Sequence, residues 1–238
     1  QSSRMVWDIQ HATERNAATV NLRLTGYNKN GVYCSSMKLA DKWKYLKDAD
    51  FMVGDQCCEN MKKHPLKDYY KKTGVHPMTA VMAVESDRRE KAWKENGCNA
   101  FNIKQPISTP MAFWTEQDVL QYIQKHNLPY ALVYGELKES NGILYFTNYK
   151  RTGCVFCGFG CHLEKEPNRF QIFAQTHPQL YDYCMRGGKY DESGKWVPDK
   201  GLGMAKVLDF INVKWWNDGD EAKRDEYRAK YKEKELNK

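Results

Sequence analysis

The chain has 238 residues, enough to bury a sizeable core without help from disulfides. Its 41% hydrophobic and 28% charged content is that of a folded protein and excludes disorder for the body. No apolar run is long enough to span a bilayer and no signal-peptide pattern stands near Gln1. The expected compartment is therefore the cytoplasm, where eight cysteines act as thiols or metal ligands rather than as a disulfide framework. The formal net charge of +7 suits a phosphate-bearing partner such as a nucleotide or nucleic acid, although a mildly basic surface also serves solubility.

In chain order, residues 1–31 are polar without a clean period and read as an irregular lead-in with at most a short helix. Ser35 and Ser36 can cap a helix through Leu39, Trp43 and Leu46. Asp55 can cap a second one carrying Cys57, Cys58 and Met61, interrupted near Pro65 and continuing through Leu66, Tyr69 and Tyr70 to Gly74. The run 78–84, Met-Thr-Ala-Val-Met-Ala-Val, is apolar on both faces and reads as a buried parallel strand. Ser86 can cap the helix that follows, through Trp93, with Gly97 at its end. Strand, polar turn and helix make an α/β unit.

Residues 98–113 contain Pro106 and Pro110 and read as a loop. Thr115-Glu-Gln-Asp118 resembles a capping box opening a helix with Val119, Tyr122 and Ile123 on one face and His126-Asn127 at its end. Residues 143–146 read as a short strand. Helices are expected over 167–174, 178–185 and 204–213, with a Gly-rich charged excursion at 187–203. Residues 217–238 hold seven acidic and seven basic side chains, so the tail adds nothing to the net charge and reads as a solvated helix.

The chemistry concentrates in Arg151-Thr-Gly-Cys-Val-Phe-Cys-Gly-Phe-Gly160. Cys154 and Cys157 stand at the spacing that lets one turn present two sulfurs to one centre, and the glycines permit the tight backbone. Adjacent Cys57-Cys58 would supply two further thiolates. Neighbouring side chains are awkward ligands for one tetrahedral zinc, whereas a cubane offers separate irons, so a 4Fe–4S cluster fits better. Buried thiols or a structural zinc are the alternatives.

Cys57-Cys-Glu-Asn-Met-Lys-Lys-His-Pro-Leu66, Phe113-Trp-Thr-Glu-Gln-Asp118, Leu128-Pro129, Tyr134-Gly135 and Gly153-Cys-Val-Phe-Cys157 together resemble the phosphoadenosine phosphosulfate (PAPS) reductase family. Their order and spacing are similar to the subgroup with a 4Fe–4S cluster, over residues 55–211. The resemblance implies an α/β, adenine nucleotide alpha-hydrolase-like fold, with Cys57, Cys58, Cys154 and Cys157 as cluster ligands. It implies for Lys62 the part of the family lysine that links cluster and substrate. An ammonium there would stabilise a negative cluster and attract a phosphate or sulfate.

Ser86-Asp-Arg-Arg89 falls where the family has a serine followed three residues later by arginine in an anion-binding loop, which nominates Ser86 and Arg89. Arg151, His162 and Arg169 are further anion-site candidates. The chain departs from the family in three places. Met82 and Ala83 stand where the reductases carry an arginine pair, the Ser-Gly-Gly phosphate loop is missing, and so is the tail cysteine of the Glu-Cys-Gly motif. Of the other cysteines, Cys161 reads as a packing thiol despite its neighbour His162, and Cys34, Cys98 and Cys184 as ordinary thiols.

The expected organisation is a lead-in over 1–54 left from an upstream nucleotide-binding part, a cluster-binding domain over 55–213 and a charged helical tail over 214–238. Because the first residue is Gln1, the fold is expected to be incomplete on its N-terminal side, its phosphate loop removed or supplied by a separate chain. The leading function is reduction of a sulfonucleotide (PAPS or adenosine phosphosulfate), with an adenine nucleotide as ligand and a thiol reductant protein as electron source. The alternatives are a sulfur-transfer or ATP-pyrophosphatase-type enzyme that modifies nucleic acid, and a non-catalytic metal-binding interaction module.

Overall fold

The computed structural model describes residues 2–149 and 152–232. The chain opens with two helices, α1 (Ser2–Gln10) and α2 (Ala17–Thr25), where the sequence reads as largely irregular. Neither carries a wide apolar stripe: α1 buries only Met5 and Val6, and α2 buries no residue. The helix expected after Ser35 forms instead as tighter 3₁₀ turns, Ser35–Met37 and Asp41–Asp48, which still bury Leu39 and Leu46.

Next, α3 (Gln56–Cys58) runs through a π turn (Glu59–Lys63) into α4 (His64–Thr73), which Gly74 ends in the left-handed region. Pro65 accounts for the wide turn. It has no N–H to donate and its ring crowds the carbonyl one turn earlier, so an ordinary α ladder cannot pass through it. α5 (Asp87–Asn96) starts at Ser86, whose hydroxyl accepts from the Arg89 amide, and stops at Gly97. β1 (Asn99–Ala100) pairs antiparallel with β2 (Ile107–Ser108) inside the stretch expected to be a loop.

α6 (Glu116–His126) has the capping box that its sequence announces. The Thr115 amide donates to Asp118 Oδ2 at 2.7 Å, and the Asp118 amide donates to Thr115 Oγ1 at 3.2 Å. Its most buried side chain is Leu120, while Tyr122, read as part of the apolar face, is exposed. β3 (Leu137–Ser140) and β4 (Ile143–Phe146) form a hairpin over Asn141 and Gly142, whose φ of 52° and 76° suit a tight two-residue turn.

The rest comprises α7 (Arg169–Thr176), α8 (Pro178–Met185), the ribbon β5 (Lys189–Tyr190) and β6 (Trp196–Val197), α9 (Met204–Phe210) and α10 (Glu221–Lys232). The last is not a solvated helix as its charge balance suggests: Tyr227 and Tyr231 bury against the core.

The run 78–84 is a correction. Met78 makes one parallel bridge to Ser108, and Ala83–Glu85 closes into a 3₁₀ turn, so no strand forms there. The neighbouring segment cannot extend the ladder, because the amide of Thr109 turns back to Cys98 and that of Ala112 to Thr109. Among the described residues the sheets are three separate two-stranded antiparallel pairs, and the α/β character lies in the mixture of helices and short strands.

Two compact units result, one from Gln1–Cys57 with Cys154–Lys238 and the other from Cys58–Gly153. The first holds the main core, with Phe170, Cys184, Leu208 and Trp215 fully or nearly fully buried. Side chains pin the 214–216 segment over it. Asn168 Nδ2 donates to the Lys214 carbonyl (2.6 Å), Tyr181 Oη to Trp215 (2.7 Å) and Gln171 Nε2 to Trp216 (3.1 Å). Asn168 also caps α7, so one buried amide both starts the helix and fixes its neighbour. Gln10 does the same for the extended 51–53 stretch, donating to the Phe51 carbonyl and accepting from the Val53 amide.

Gly188 packs under this core at φ 84°, and a Cβ there would lie 2.3 Å from the Trp196 indole.

The second unit buries far less. Its buried hydrophobics are Ala83, Ala112, Leu120 and Leu144. Gln117 holds α6 to β4 by donating to the Leu144 carbonyl (2.8 Å) and accepting from its amide (2.9 Å). α4 and α5 bury no residue.

Candidate metal and anion site

Cys154 and Cys157 sit in a turn closed by the Cys157 amide on the Cys154 carbonyl at 3.0 Å, the local geometry expected of this spacing. Cys154 is exposed and Cys157 half-buried. Cys57 and Cys58, on α3, are exposed as well; Cys57 closes the first compact unit and Cys58 opens the second. Among the described residues no three His, Cys, Asp or Glu side chains gather in metal-binding geometry, and no disulfide is present.

Two observations bear on whether these residues suit a thiolate-bound group. Unpaired cysteine is among the residue types most often buried, yet three of these four are exposed, while Cys161 and Cys184 lie in the core. Asp55, expected to cap α3, instead leaves Oδ1 buried without a partner two residues before Cys57. The donor set fits a soft, thiophilic metal group.

The core cysteines differ chemically from the four. Burial pushes the Cys161 thiol up. Burial, with Cys154 nearby, pushes Cys184 up to about 12, so neither is a ready nucleophile at neutral pH.

Arg169, read as an anion-site candidate, is engaged by protein groups. Its Nε and Nη2 donate to Glu164 Oε1 at 2.8 and 2.5 Å, and Nη1 donates to the Cys157 carbonyl at 2.9 Å. The Glu164 hydrogen bonds raise the Arg169 pKa further. On Glu164, burial alone would raise the pKa, but the Arg169 hydrogen bonds outweigh it and hold the carboxyl below its usual range. Glu164 is the residue that sequence reading missed, since a carboxylate five positions before an arginine across a loop carries no periodic signal.

His162 lies edge-on to Trp43, ring centroids 4.7 Å apart, in the same unit. Lys62 is exposed in the π turn and makes no ion pair among the described residues. Neighbouring Lys63 and His64 both contact Glu59. Ser86 is spent as the α5 cap, and Arg89 is ion-paired with Glu85. Arg151 lies outside the described residues. No helix among the described residues is long and apolar enough to cross a membrane.

These features define an α/β chain with an exposed set of thiols and cations on helix and loop termini. The family model described as phosphoadenosine phosphosulfate reductase domain matches residues 9–158, and the chain belongs to that family. The family has an adenine nucleotide alpha-hydrolase-like fold and points to a nucleotide or sulfonucleotide substrate. Comparison with curated proteins gives no significant match, and comparison with solved structures gives none either.

Proposed function

We propose that the chain is an iron–sulfur oxidoreductase of the sulfonucleotide reductase type, in which Cys57, Cys58, Cys154 and Cys157 hold a 4Fe–4S cluster. The observation that carries this reading is the division of the thiols, with these four at or near the surface and Cys161 and Cys184 in the core. A cluster so bound supplies a negative, polarisable centre beside the substrate.

The chain's own residues then do the positioning. The Cys154–Cys157 turn, braced by Arg169, presents two sulfurs on a fixed backbone. Lys62 places an ammonium one turn beyond Cys58, where it neutralises charge and attracts a phosphate or sulfate. Ser86 and the start of α5 offer a second anion-binding point, with Arg151 and His162 as further cations beside the cysteine loop. Arg89 and Arg169 join the anion site only by exchanging Glu85 and Glu164 for the ligand. In the reaction itself two thiols give up two electrons and become a disulfide, and the sulfuryl group leaves the nucleotide as sulfite.

A second reading, sulfur transfer to nucleic acid by a nucleotide-activating enzyme, is favoured by Met82 and Ala83 standing where the reductases carry an arginine pair. Sulfite release from PAPS or adenosine phosphosulfate with a thiol reductant separates the two. Sulfite formation supports reduction. No sulfite, together with ATP hydrolysis stimulated by nucleic acid, sinks it in favour of sulfur transfer.

A further inference from the structure

In the 58–153 unit, the segment beginning at Met78 is an open sheet edge. The Thr79 amide donates to the Ser108 carbonyl (2.9 Å) and the Ser108 amide to the Pro77 carbonyl (3.0 Å), so the groups of Pro77 and Thr79 face β2. In a pleated chain the peptide groups of Met78 and Ala80 then face the opposite way. Among the described residues neither amide has a hydrogen-bond partner. Met78 is 75% exposed, and Ala80 is exposed beside it.

This edge carries none of the usual protections. Residues 77–84 contain no charge, and no proline lies within 78–84, whereas edges are normally blunted by lysine, proline or a bulge. The unit behind it buries only four hydrophobic side chains, so it gains from any surface that covers the edge.

We propose that a second copy of this chain pairs along this edge, antiparallel, about a two-fold axis at Thr79. Identical strands related by a two-fold must run antiparallel. With Thr79 on the axis, Met78 of each copy stands opposite Ala80 of the other. The pair exchanges four hydrogen bonds, using the two outward amides and carbonyls of each copy. The neutrality of both strands means that no like charges meet across the axis, which favours self-pairing over capture of a charged partner strand.

Sedimentation velocity on the full chain across a concentration series, with hydrogen exchange on the same samples, tests this. The expected result is a concentration-dependent dimer in which the Met78 and Ala80 amides become protected. Met78→Lys, at an exposed position, should weaken the dimer by about tenfold or more by setting two ammonium groups on one face across the axis. Met78→Leu should leave it intact. A monomer throughout the series, or a dimer indifferent to Met78→Lys with both amides still exchanging freely, overturns the proposal.

Discussion

Arg169 reaches back from the first turn of α7 to the cysteine loop, donating from Nη1 to the Cys157 carbonyl at 2.9 Å while Glu164 holds the rest of its guanidinium. One planar cation thereby fixes both the acid and the backbone that carries Cys157. Lysine cannot reproduce the forked geometry. Arg169→Ala is expected to cost about 1 kcal/mol of stability, discounted for the partial exposure of the pair. Iron affinity should fall at least tenfold, with Arg169→Lys recovering only part. Chemical denaturation and iron titration measure the two effects separately, and unchanged iron affinity in Arg169→Ala would remove the brace from the site.

The buried thiols should report folding. At pH 8 a thiol with a pKa near 12 is ionised in about one molecule in ten thousand, so Cys184 should resist iodoacetamide until the chain unfolds. Cys161 should behave alike, while Cys58 and Cys154 label at once in metal-free protein. Peptide mapping after timed alkylation reads each site.

Asp209 sets an acid limit. It accepts from Arg228, Tyr231 and the Trp215 indole. Burial alone would raise its pKa, but these bonds outweigh burial and hold it below the ordinary carboxylate value. A depressed folded-state pKa gives stability that is present above the unfolded value, near pH 4, and is lost as pH falls through the folded one. Asp209→Asn should flatten this part of the pH–stability curve and cost about 2 kcal/mol at neutral pH, by leaving Arg228 unpaired. Thermal melts between pH 3 and 7 compare the two proteins.

The two units should differ in sensitivity. Phe170→Ala empties a fully buried position in the main core and is expected to cost about 3–5 kcal/mol. Leu66→Ala, on the exposed side of α4, should change stability by less than about 0.5 kcal/mol. Urea melts with equal m-values settle both.

What could be read in advance was what is local. Thr115 and Asp118 announced α6 because a capping box closes within four residues, and Pro65 announced the break between Cys58 and Tyr69 because its ring forbids the ordinary ladder. The placement of α1, by contrast, depends on Gln10 bonding a stretch about forty residues away, and α7 depends on Asn168 reaching Lys214. No window of sequence contains both partners. The run from Met78 misled for a related reason: its apolar character is that of a strand, but strandhood needs a neighbour able to pair at several positions, and β2 offers one. At the candidate site the cysteines were legible from spacing, whereas the Glu164–Arg169 brace was not, since it forms only when the loop folds back.

The cluster reading is tested most directly by the metal itself. Protein purified without oxygen and assayed for iron, zinc and acid-labile sulfide should contain about four irons and four sulfides per chain. Cys57→Ser and Cys154→Ser should lose them equally, because both serve one centre. Zinc alone, no metal, or loss of iron in only one of the two variants would contradict a shared 4Fe–4S site.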